Sequence, residues 1–129
     1  MKFLVNYSPA TNIKFMNTET LNALTQVREG RTMVLNKLTD ITISHDEKQI
    51  LGDVLLNLQQ QEDILINSVL KDMVDKINTS NAALQILIQQ MDKASQNIAD
   101  VSNAIKKISN VLSTLTEITA SALSAGLLG

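Results

Sequence analysis

KINTSNAALQ, residues Lys76 to Gln85, sets four consecutive polar residues, Asn78-Thr79-Ser80-Asn81, inside a helical, apolar-periodic text. Whether the chain turns back there or runs through decides between a compact bundle and a rod that needs a partner. Asn, Thr and Ser are poor helix interiors and good caps, so the run reads as a connection between two helices. Two features argue for passage. The apolar phase Ile66, Leu70, Met73, Ile77, Ser80, Leu84, Leu87 continues without a slip, and no Gly or Pro forces a break. A continuous helix from about residue 44 to 123 would be roughly 120 Å long, far above the usual length, and this favours an antiparallel hairpin turning near 78–81.

Downstream lies the most regular pattern in the chain. Leu84, Met91, Ile98, Ile105 and Leu112 recur every seven residues, and Leu87, Ala94, Val101, Ile108 and Leu115 follow each by three. An a/d repeat of this kind predicts a coiled-coil seam. Gln90, Ser95, Asn97, Ser102 and Ser109 stand beside it where Glu and Lys usually set pairing. Partner choice would then rest on core shape and on amide or hydroxyl hydrogen bonds. Ala104, Val111 and Ile118 widen the stripe, as expected of a helix touching two neighbours.

Upstream, the segment Ser44-His45-Asp46-Glu47 fits a capping box and predicts a helix start, with Asp46 and Glu47 at the positive end of the dipole. From there Leu51, Leu55, Leu58, Ile66, Val69, Met73 and Ile77 form the expected buried stripe. Before it, Leu21, Leu24, Val27, Val34, Leu35, Leu38 and Ile41 recur at helical spacing, with Gly30 the weak point and the β-branched run at 39–43 the end. Residues 1–17 carry Phe3, Tyr7, Phe15 and the sole proline, Pro9. They read as an extended arm that packs on the helices or docks on another protein. The fold expected is therefore all-α: an arm over 1–17, then a bundle of long amphipathic helices over 18–129, three in number with a hairpin at 78–81.

Composition narrows the function classes. Of 129 residues, 44% are hydrophobic and 2% aromatic, with no Cys or Trp, so the core is aliphatic and suits helix-on-helix packing. The net charge of −2 is spread along the chain without a basic run, which gives nucleic acid no phosphate track. The opening MKFLVNYSP is too short in apolar residues for a signal peptide. A cytoplasmic location is the default expectation, compatible with signal-independent export.

Catalytic groups are sparse. His45 is the only histidine, and Ser44, His45 and Asp46 are consecutive at a helix start, where they point in different directions and cannot converge as a triad. One His is too few for the usual zinc or di-iron ligand sets. Asp72 and Asp75 alternate with Lys71 and Lys76 on a wet face, whereas Glu62 falls in line with Leu58 and Ile66 as the edge of the stripe. No enzyme, cofactor or metal site is expected. The sequence points to a structural or interaction module that associates with itself or with a helical partner. The seam expected to carry it is Leu84, Leu87, Met91, Ile98, Val101, Ile105, Ile108, Leu112 and Leu115. The alternative is a membrane-active protein, because residues 108–129 carry a single charge, Glu117, although serines and threonines dilute the stretch.

Overall fold

The computed structural model describes residues 8–126, with side chains from Thr18 onward. Among the described residues there are four α-helices: α1 Ser8–Leu38, α2 His45–Asn67, α3 Leu70–Lys93 and α4 Ala99–Ser124. A single 3-10 turn, Gln96–Ile98, leads into α4. Each helix packs on its sequence neighbours, and α1 closes the ring against α4. Short connections make successive helices antiparallel. The pairing of Lys37 on α1 with Asp100 on α4, at 3.2 Å, sets the C-terminal end of one beside the start of the other.

The chain does not turn at 78–81, and it does not form a three-helix bundle or an unbroken helix from 44 to 123. All four residues of Asn78-Thr79-Ser80-Asn81 lie inside α3. Asn78 and Thr79 are exposed, whereas Asn81 and the Ser80 carbonyl bind neighbouring helices. Asn81 donates to the Ser109 carbonyl at 3.1 Å and to the Ser113 hydroxyl at 3.0 Å, and the Ser80 carbonyl accepts from Asn57 at 2.9 Å. The breaks fall at Ser68-Val69 and at Ala94-Ser95, where the backbone is extended. Neither connection contains Gly or Pro.

The expected arm is also revised. α1 begins at Ser8, so residues 8–17 are helical and not extended. Pro9 sits in the first turn, where its missing N–H has no helical partner to lose. Phe3 and Tyr7 lie outside the described residues, and Phe15 is placed only as part of the α1 backbone.

Local signals elsewhere produce the elements they predict. The capping box at Ser44 is formed: its N–H donates to Glu47 Oε1 at 2.8 Å, and the Glu47 N–H donates to Ser44 Oγ at 3.1 Å. α1 ends at Leu38, and Asp40 then accepts from the Thr42 amide at 2.9 Å in a short side-chain-stabilised turn.

The core runs the length of the bundle. It is built from Ala23, Val27 and Val34 on α1, Leu51, Val54 and Leu58 on α2, Met73, Ile77, Leu84 and Met91 on α3, and Val101, Ile105 and Leu112 on α4. Full burial of one such aliphatic side chain contributes about 1.5–3 kcal/mol. Two of the expected stripes are shifted. Leu21, Leu35 and Ile41 on and after α1, and Ile66 and Val69 around the end of α2, are exposed. Gly30 has a packing role that its low helix propensity conceals. A Cβ built there would overlap Ile108 Cδ1, with Ile105 Cδ1 at 3.5 Å and Leu58 Cδ1 at 3.6 Å. Glycine lets α1 and α4 approach closely at mid-bundle.

Candidate interaction seam and the ends of the bundle

Most of the heptad residues are buried, and within the same chain. Leu84, Met91, Ile98, Val101, Ile105, Ile108, Leu112 and Leu115 belong to the core, whereas Leu87 and Ala94 are half-buried at its margin. The repeat is divided between two helices, with Leu84 to Met91 on α3 and Val101 to Leu115 on α4, and Ile98 ends the turn between them.

Beside the apolar positions runs a polar line made by residues four after an a position, counting Ile77 as the a position before Leu84. Asn81, Ser102, Ser109 and Thr116 are all buried. Across the α3–α4 interface, Ser109 Oγ donates to Asn81 Oδ1 at 2.8 Å, and Ser102 Oγ donates to Asp92 at 2.5 Å. On α2, Gln61 is fully buried; its amide donates to Asn57 at 3.3 Å while its Oε1 has no partner. These small polar groups fix which residues face each other, since a displaced register would leave them unpaired in the interior.

Glu47 does more than cap. Its second carboxylate oxygen accepts from the Ser95 hydroxyl, which ties the start of α2 to the connection between α3 and α4. The Asn97 side chain donates to the Thr42 carbonyl at 3.4 Å across the same gap. The Ser95 hydroxyl, followed by the Ser44 amide, holds the Glu47 carboxyl below the ordinary glutamate value. Asp92 is likewise lowered, first by the Ser102 hydroxyl and then by Lys106, whose ammonium lies 2.9 Å away.

Glu62, expected at the edge of the stripe, joins α1 to α2. It accepts from Arg28 Nε at 2.7 Å and from Arg31 at 2.6 Å. Sequence spacing alone does not show this, because the partners stand more than thirty positions away on another helix. His45 is exposed in the first turn of α2, as read. Among the described residues, two open grooves stand out. One lies between α2 and α3 beside Gln60, Asp63, Asp75, Lys76 and Thr79; the other lies between α1 and α4 beside Glu19, Asn22, Asn110 and Thr114. Among the described residues no group of three or more acidic or histidine side chains is placed to hold a metal ion. None of the described helices is long and apolar enough to cross a membrane.

Comparison with protein-family models, with curated proteins and with solved structures finds no match to this chain.

Proposed function

We propose that the chain is a non-enzymatic structural or interaction module that associates with a second copy of itself or with a helical partner through the a/d seam from Leu84 to Leu115. The observation that supports this reading is the seam's chemistry. Its aliphatic a and d positions are flanked by buried Asn81, Ser102 and Ser109, a face of the kind that packs on another helix. Because these residues pack against helices of the same chain, a partner helix engages them by taking the place of one of the four. Outer-face residues Leu56 and Ile86, 61% and 57% exposed, offer a second kind of contact that needs no rearrangement.

Sedimentation velocity over a wide concentration range tests the proposal, with the Leu56→Glu/Ile86→Glu variant alongside the parent. Mass above the monomer in both proteins is the expected result. Association lost in the variant with helicity intact would move the contact to the outer face. A strict monomer that co-floats with lipid vesicles would replace this reading with the membrane-active one, in which the stretch 108–129 meets the bilayer.

A further inference from the structure

The turn between α3 and α4 retains a regularity that a fixed hairpin does not require. In a hairpin the apolar stripes of the two helices are phased independently, because the connection resets rotation about the axis. A shared phase matters only where one helix runs through. Met91, Ile98, Val101 and Ile105, all buried, with half-buried Ala94, nevertheless keep the a/d spacing straight across the connection, whereas the spacing kept across the α2–α3 connection starts from Ile66, which is exposed. At Ala94 and Ser95 the backbone is extended, with φ of −82° and −75°, so rotation of ψ alone brings each residue into the helical region. The residues from Ala94 to Ile98 include no Gly or Pro to oppose a helix.

We infer that the α3–α4 connection is a hinge that straightens, and that two copies then exchange α4, each completing the other's bundle. This rests on the reading of the chain as a self-associating module and specifies its mode. In the exchanged dimer α3 and α4 form one helix from Leu70 to Ser124, and two such helices run antiparallel. α3 of each copy packs on α4 of the other. The pairs Asn81 with Ser109 and Asp92 with Ser102, now closed within one chain at 2.8 and 2.5 Å, re-form between chains with unchanged geometry. Exchange of identical elements keeps the contacts of the closed form, so the difference between the two states is concentrated at the hinge.

At the hinge the two states are stabilised by different groups. The closed form has the Ser95 hydroxyl on Glu47, the Asn97 amide on Ser95 Oγ at 3.2 Å, and Asn97 on Thr42. The exchanged form has continuous helical hydrogen bonds across 94–98 and a new crossing of two copies at Met91, Ala94 and Ile98. Ala94, half-buried in the closed form, fills a d position at that crossing. The heptad phase through the turn acquires a physical reason there.

Gln96→Pro separates the states. Residue 96 opens the 3-10 turn, where Pro is tolerated, and Ser95 before it is already extended with ψ 166°. In a straight helix the same proline removes a hydrogen bond and clashes with the preceding turn. The full chain is refolded from denaturant at high protein concentration and examined by sedimentation velocity. An elongated dimer in the parent, and a compact helical monomer in Gln96→Pro, is the expected result. If Gln96→Pro loses its helicity, Gln96→Gly replaces it, with dimer dissociation raised about tenfold by the cost of glycine in each continuous helix. A dimer that survives these hinge substitutions unchanged would overturn the exchange while leaving self-association intact. A parent protein that stays monomeric throughout would overturn the exchange and self-association together, leaving only a different helical partner.

Discussion

The two ends of the bundle are built by different rules. At the end that holds the connections 39–44 and 94–98, polar side chains are partnered across elements. Glu47 binds both Ser44 and Ser95, Lys37 pairs with Asp100, and Asp92 receives Ser102 and Lys106. At the other end the α2–α3 connection is only Ser68 and Val69, and Val69 makes no side-chain cap. There the hydroxyls of Thr20 and Thr119 are buried without a partner, Gln61 Oε1 is orphaned nearby, and Ile66 and Val69 face solvent. Each unpartnered buried group carries a desolvation cost that a partnered one largely recovers. Among the described residues the first end carries more polar contacts between elements than the second, where the Glu62 pairs with Arg28 and Arg31 lie further in, so local opening is expected to start at the second.

Core truncation gives the largest test of this contrast. Leu51→Ala, at a fully buried position near the first end, is expected to lower stability by about 3–4 kcal/mol, and Leu65→Ala near the other end by about 2 kcal/mol. Chemical denaturation of both variants measures the difference; equal losses would mean that the ends do not differ in packing.

Glu47→Ala removes the capping box and the link to Ser95 together, with an expected loss of about 1–2 kcal/mol. The same carboxylate gives a pH signature. Its folded-state pKa is depressed, so its contribution is fully present above the unfolded value, near 4.5, and is lost as pH falls through the folded value. Acid titration of stability should therefore be shallower below that pH in Glu47→Gln than in the parent. An unchanged acid slope would show that Asp40 and Asp92, both also depressed, carry it instead.

Gly30→Ala probes the middle of the bundle. The helix-propensity gain of about 1 kcal/mol opposes overpacking of about 1–3 kcal/mol against Ile108, and a net loss of about 1 kcal/mol is expected. In an Ile108→Val background, which deletes the overlapping methyl, the substitution should become neutral or favourable. A double-mutant cycle without coupling would place the close approach elsewhere.

Thr119→Val gives the smallest effect and the opposite sign. It replaces an unpartnered buried hydroxyl with a methyl of similar shape and should stabilise by up to about 1 kcal/mol. Ser109→Ala, which breaks a closed hydrogen bond to Asn81, should destabilise by a similar amount. If both variants moved stability in the same direction, the distinction between satisfied and orphaned polar groups would fail.

Much of this was legible in the residues themselves. Aliphatic spacing determined that the chain is helical, the Ser44–Glu47 pattern determined where α2 begins, and the β-branched run at 39–43 determined where α1 stops, because each depends on neighbours within one or two turns. The heptad likewise identified the buried face of α3 and α4. What only the tertiary structure decided is where the chain folds back and what the polar residues are for. Asn78 to Asn81 have cap-like chemistry, yet Asn81 finds its acceptors 28 and 32 residues away on α4, and a side chain with a distant partner no longer needs to end its own helix. The turn instead falls at Ser68-Val69, which lacks a strong local signal. Turns at 68–69 and 94–98 leave α2, α3 and α4 with 23, 24 and 26 residues, lengths that bury one another's apolar stripes. Local sequence specifies the helices; the requirement that their faces cover each other sets their number and their ends.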